Sequence, residues 1–296
     1  MCYPFHVLFC CIRKISLLWF YSRFLVVFLI FFFPSILFAS SGNRSVIYVV
    51  SSVNEVGDVF RALTSDSFVM VDVDATITYH EDPYMQTHVI GEHRELYDEL
   101  ISSLTCDQVY YLNHLWCCDP QKILMEEEFP AVISNLQRRS IPIVACTAAK
   151  MGGISADLPS FPAWRRDELG KFGIDFSDIF PGSILFDHHD DFAGNHPGIE
   201  AGVVYSGQKI KKGVILPDVL AVLGCGNCPK PFVVIDDSMS QIESIKESFL
   251  NMYPGEEFIG IHYRRIDVFE KPVIDLDVFR EKIKSLVSKT KALNLG

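Results

Sequence analysis

The chain has 296 residues, 49% of them hydrophobic and 21% charged, with a formal net charge of −11. That length and apolar content suffice for one large domain or two modest ones with a proper core. The acidic balance excludes nucleic acid as a main partner, because phosphate backbones are gripped by basic patches.

Residues 1–41 stand apart. Arg13, Lys14 and Arg23 flank or precede the apolar run 24–39, no acidic residue occurs before Gly42, and small residues gather at Ala39, Ser40 and Ser41. This is the layout of a secretory signal. The stretch 15–21 is apolar too, and bulky Phe38 sits beside the expected cut, so an uncleaved membrane anchor is the alternative. Either one places the remainder outside the cytoplasm (periplasm, secreted or tethered), since basic residues stay inside. Six of the nine cysteines lie beyond this segment, where an export compartment allows oxidation. Cys225 and Cys228 form a CGNC stretch, open to a tight disulfide or to a pair of inert thiols.

In chain order, SVIYVV (45–50) predicts a strand, and Val56, Val59, Phe60 and Leu63 recur at helical spacing. SFVMVDV (67–73) predicts a buried strand that runs into two carboxylates, Asp72 and Asp74, which alternation along a strand aims to one side. Residues 80–140 are mainly helical in pattern. Leu96, Tyr97, Leu100, Ile101 and Leu104 share one face, and Phe129, Val132, Ile133 and Leu136 share another. IPIVACTA (141–148) is a buried strand that ends at Thr147, and the Gly-, Pro- and Asp-rich region 150–201 reads as loops with a few short elements. GVVYSG predicts a strand, followed by the basic QKIKKG and an apolar helix through Leu216 to Leu223. PFVVIDD is the next buried strand, ending in Asp236 and Asp237; an amphipathic helix, the strand EFIGIHY and a surface helix from DLDVFREKIKSLVSKT complete the series.

Strands alternating with helices define an α/β chain with a Rossmann-like parallel sheet covered on both faces. In such sheets ligands gather beyond the carboxyl ends of the strands, where Asp72, Asp74, Thr147 and the Asp236–Asp237 pair all fall. DVDAT after one strand, Thr after a second, a lysine cluster, and DD after a third resembles the haloacid dehalogenase superfamily of phosphohydrolases and phosphotransferases, and within it a group of exported bacterial members. The resemblance spans roughly 67–263. It implies the family's core over 43–79 and 141–296, with a helical cap inserted over 80–140.

The resemblance implies a magnesium-dependent phosphatase acting on a small phosphorylated substrate. Asp72 is then the nucleophile that becomes an aspartyl-phosphate, and Asp74 the acid and later the base. Thr147 hydrogen-bonds the phosphoryl group. Lys212 neutralises its charge, with Lys211 or Lys209 as alternatives. Asp236 and Asp237 hold Mg2+ together with Asp72 and the backbone carbonyl of Asp74. For Asp74 to act as an acid its pKa has to lie above that of the metal-bound carboxylate. The rival expectation is a non-catalytic exported protein that keeps the fold as a binding scaffold. Three further features stand outside this constellation. FDHHDDFAGNH (186–196) reads as a solvated polar loop or a transition-metal site; His262 as a buried hydrogen-bonding group or a substrate contact; Trp116 as helix packing or a pocket wall.

Overall fold

The apolar runs make the middle of the sheet, and the alternation of their side chains decides what covers each face. The computed structural model describes residues 44–118, 122–153, 159–191, 194–225 and 228–293. The expected signal or anchor, 1–41, lies outside these. Among the described residues no helix is long and apolar enough to cross a membrane.

An eight-stranded sheet carries β1 (Ser45–Val50), β2 (Phe68–Asp72), β5 (Ile143–Thr147), β6 (Ser183–Leu185), β7 (Gly198–Glu200), β8 (Val203–Tyr205), β9 (Phe232–Asp236) and β10 (Phe258–Tyr263), in the spatial order β1-β10-β9-β2-β5-β8-β7-β6. The six strands from β1 to β8 in that order run parallel, while β7 and β6 are antiparallel additions at one edge. Two further short strands, β3 (Thr78–His80) and β4 (Lys122–Leu124), pair antiparallel beside the sheet.

Parity does the sorting. Val69, Val71, Ile143, Ala145, Val233 and Ile235 face a cluster completed by Phe60 of α1 (Gly57–Ala62), by Phe129, Ile133 and Leu136 of α5 (Phe129–Arg138), and by Phe161 and Leu169 of α6 (Phe161–Gly170). Their neighbours Phe68, Met70, Val144, Phe232 and Val234 face the opposite cluster, built with Ile215, Leu216, Val219 and Leu220 of α7 (Lys212–Val222) and Ile242, Ile245 and Phe249 of α8 (Met239–Met252). Fully burying side chains of this size stabilises by about 1.5–3 kcal/mol each, so both faces are firmly held.

A third cluster lies apart from the sheet. Val89 of α2 (Thr87–Glu92), Tyr97 of α3 (Arg94–Ile101), and Leu112 and Trp116 of α4 (Cys106–Cys117) bury against Phe279, Ile283, Leu286 and Val287 of α9 (Leu276–Ala292). The stretch 80–140 therefore divides by packing: α2, α3 and α4 form this cluster, whereas α5 lies on the sheet. Helix α9 differs from the surface helix expected, because Phe279 and Ile283 repeat at i, i+4 and are fully buried. Helix α6 emerges from a region read as loops; Ser160 caps it by accepting from the Ala163 N–H, and Pro162 occupies its first turn.

Candidate active site

All six residues predicted from sequence, Asp72, Asp74, Thr147, Lys212, Asp236 and Asp237, line one cleft of about 400 Å³ at the carboxyl ends of β2, β5 and β9. Strand parity assigns their partners. Asp72 and Asp236 end adjacent strands on the face that α7 covers, and the first residue of α7 is Lys212. Its buried ammonium donates to Asp72 Oδ1 at 2.5 Å and to Asp236 Oδ2 at 2.7 Å. Among the three lysines considered, only Lys212 reaches the carboxylates; Lys211 is exposed, and Lys209 is exposed and faces Asp107 instead. Helix α7 can approach this closely because Gly213 lies against α8, where a Cβ would meet the backbone oxygen of Ser244 at 2.1 Å. The Lys212 N–H donates to the Gln241 side chain at 3.0 Å, fixing the start of the helix.

Asp72, Asp236 and Asp237 bring carboxylate oxygens within 4.8 Å of one another. Asp72 Oδ2 is buried with no hydrogen-bond partner, an arrangement that is costly unless a cation completes it. Burial pushes the Asp72 carboxyl well up, opposed by Lys212 and reinforced by Asp236 and Asp237. Asp237 rises to about 7, through burial first and then the neighbouring Asp236. Lys212 is pushed up in turn, since the two carboxylates outweigh its own burial. A crowd of acidic oxygens with one orphaned acceptor fits a hard divalent cation. His262 donates to the Asp237 carbonyl at 3.0 Å, so it acts as a brace for this loop. Trp116 donates from Nε1 to the Met85 carbonyl at 2.5 Å and packs inside the helical cluster.

Asp74 departs from expectation in two respects. Its carboxylate does not share a side and partners with that of Asp72 as strand alternation predicts, because β2 ends at Asp72 and the chain turns immediately, with Ala75 at φ 64° and the N–H groups of Ile77 and Thr78 both bonded to the Val73 carbonyl. The two aspartates share a cleft but not their partners. Nor is Asp74 set to carry a proton. Lys122 donates to Oδ1 at 2.5 Å, Arg165 donates to both oxygens at 3.0 and 2.8 Å, and Thr147 donates to Oδ2 at 3.1 Å. Burial pushes this carboxyl up, but Arg165 and Lys122 outweigh it and hold the group well below the usual carboxylate range. Thr147, expected at the phosphoryl group, bonds Asp74 because its odd parity turns it to the α6 face. Arg165 is itself fully buried and shared with Glu168 at 2.5 Å, which Lys122 also approaches at 3.5 Å.

Arg165, Lys122 and Glu168 were not singled out from sequence. WRRDEL falls in the stretch read as loops with a few short elements, and a contact between Asp74 and Arg165, 91 positions apart, leaves no local trace. The six cysteines of the described residues are free thiols, Cys225 and Cys228 included.

Fold and site together define an α/β protein, with a mostly parallel sheet flanked by helices and an acidic, lysine-bearing cleft at its carboxyl edge. The chain belongs to the family described as protein of unknown function DUF2608, whose profile matches residues 49–294. It is similar to an uncharacterized protein of Rickettsia felis, at 27% identity over 87% of this chain and 89% of the relative. Uncharacterized proteins of Rickettsia conorii and Rickettsia prowazekii are each 25% identical over 89% of this chain and 91% of theirs. No solved structure matches.

Proposed function

We propose that this chain is a magnesium-dependent phosphatase of the haloacid dehalogenase type, exported or membrane-tethered through its N-terminal segment, and acting on a small phosphorylated substrate. The observation that carries the reading is the buried Asp72, with one oxygen on Lys212 and the other unpartnered among Asp236 and Asp237. The strand order β10-β9-β2-β5-β8 supports it by setting the Asp72 and Asp236 strands side by side.

In the first step Asp72 attacks phosphorus and the P–O ester bond breaks, leaving an aspartyl-phosphate and a leaving oxygen that takes a proton from Asp74 to become the alcohol. In the second, water attacks that phosphorus, inorganic phosphate departs and the carboxylate returns. Lys212 offsets charge on the transferring group. Asp72, Asp236 and Asp237 would hold Mg2+, which supplies positive charge against the phosphoryl oxygens. Asp74, ionised in its cage of cations, is the acid and base of this reading, and it must shed part of its pairing with Arg165 and Lys122 both to protonate the leaving oxygen and to accept a proton from water. Helices α2 and α4, which put Thr87 and Cys117 in the cleft wall, act as the selector of substrates in this reading.

One observation favours a second reading, a non-catalytic binding scaffold: the same engagement of Asp74 by Arg165 and Lys122. Phosphate release from p-nitrophenyl phosphate and a wider panel of monoesters separates the two. The phosphatase reading expects turnover with Mg2+, none with chelator and none in Asp72→Asn. Absence of metal-dependent turnover across the panel leaves the scaffold.

A further inference from the structure

A second cluster of metal-type donors lies away from the acidic cleft. In the turn after β6, the Phe186 carbonyl accepts the His189 N–H at 3.0 Å, which sets His188 and His189 side by side with ring centroids 4.2 Å apart. Both rings aim Nε2 at one carboxylate of α7: His188 lies 3.2 Å from Asp218 Oδ1 and His189 2.9 Å from Asp218 Oδ2. The three donor atoms fall within 4.8 Å of one another. Asp187 sits 4.0 Å from Nδ1 of His188, so the ring nitrogen that does not face the cluster has an acid beside it. At that distance Asp187 makes no hydrogen bond to the ring, and a small side-chain rotation would be needed before it could hold the imidazole's tautomer. The turn is braced, because His196 donates from Nδ1 to the His189 carbonyl at 2.8 Å.

From these contacts we infer that His188, His189 and Asp218 form a site for a borderline divalent transition ion of the zinc class. Two imidazoles and a carboxylate suit zinc, cobalt or nickel, whereas magnesium prefers oxygen alone. In a tetrahedral site with bonds of about 2.0–2.1 Å, neighbouring ligand atoms are separated by about 3.3 Å. The 2.9 and 3.2 Å contacts run to different oxygens of Asp218, and one donor atom from each residue lies within 4.8 Å of the others, so closing the three onto one ion needs at most about 1.5 Å of adjustment. Three protein ligands leave a coordination position for water. Hydrogen bonds from Nε2–H to the carboxylate would also account for the short contacts, but they do not require both Nε2 atoms to converge on a single carboxylate from a turn braced on its far side. The site also touches the cleft indirectly. The same turn continues to buried Asp191, which accepts the N–H groups of Gln208 and Lys209 at 3.1 and 2.9 Å, and Gln208 lines the cleft wall. A bound ion would therefore tie that wall to the helix carrying Lys212.

The test is titration of the metal-stripped full chain with Co2+ in excess Mg2+, which keeps the acidic cleft out of the signal. Binding at the proposed site gives the intense visible absorption of a low-coordinate nitrogen-bearing centre, displaced by Zn2+. His188→Ala and His189→Ala should each weaken binding by more than the roughly 10–100-fold that loss of an outer partner costs, while Asp72→Asn retains it. The His188 side chain is 58% exposed, so its loss leaves the fold intact, as circular dichroism and the unfolding midpoint will record. Absence of the intense absorption, or its persistence in both histidine variants, overturns the proposal.

Discussion

Replacing Lys212 by Met tests the central electrostatic claim about the cleft. The lysine side chain is 2% exposed and donates to two carboxylates, at 2.5 and 2.7 Å, with a third close by. The four groups carry a formal charge of −2 with the ammonium and −3 without it. Removing one partner of a buried ion pair costs about 3–5 kcal/mol. Here two buried acceptors lose their donor at once, so the upper end applies. Against a total stability of about 5–15 kcal/mol, that is a large fraction. Urea unfolding in chelator at pH 7 should show the loss in Lys212→Met. The exposed control Lys211→Met should stay within about 0.5 kcal/mol of wild type. Mg2+ should recover part of the deficit, because a cation that binds only the folded state stabilises it by mass action. Adding Asp236→Asn to Lys212→Met returns the formal charge to −2, so the double variant should lose less than the two singles combined. If Lys212→Met and Lys211→Met unfold at the same midpoint, the ammonium is not holding a buried acidic cluster and the reasoning fails.

The other predictions concern the walls of the site. Gly213→Ala sets a methyl 2.1 Å from the Ser244 oxygen, so α7 must move off α8; a loss of about 1–3 kcal/mol and a fall in any turnover dependent on Lys212 are expected from thermal melts and assays. Arg165→Met strips Asp74 and Glu168 of a shared buried cation and should cost about 3–5 kcal/mol. It should also move the acid limb of the pH–rate profile upward as Asp74 returns toward its ordinary range; an unmoved limb would mean that the guanidinium does not control this carboxylate. His114 is buried, accepts the Lys150 N–H at Nε2 and donates from Nδ1 to the Tyr110 carbonyl, and burial lowers its pKa to about 4. The folded state thus binds fewer protons than the unfolded chain below pH 6.5. Its contribution is complete above that pH and declines as pH falls toward 4, by about 3 kcal/mol in all. An NMR titration in which the His114 ring takes up a proton near pH 6.5 would refute this.

The strands and their order of chemistry could be read from the chain because they rest on local signals. Runs such as FVMV and PFVVI specify strands buried on both faces, and the acids that follow them must fall at the carboxyl edge. Parity along β2 and β9, once the sheet order is known, also explains why Lys212 rather than Lys209 or Lys211 reaches Asp72. What stayed hidden was relational. Extending strand alternation through Asp74 ignored the turn at Ala75, which redirects the carboxylate into Arg165 and Lys122. Those two cations come from separate elements, and their spacing in sequence carries no periodic signal. The burial of α9 was missed for a similar reason: its Phe279–Ile283 stripe is visible, but its partners lie far upstream.

That distant partnership has a kinetic consequence. The side chains of Asp82 and Lys282 meet across 200 positions, and the apolar faces of α2, α3 and α4 have no cover until α9 has been synthesised. Contacts of such long range are slow to close, and greasy surface left bare in the meantime invites association. Helices α2, α3 and α4 are therefore the part of this protein most open to association while the chain is being made.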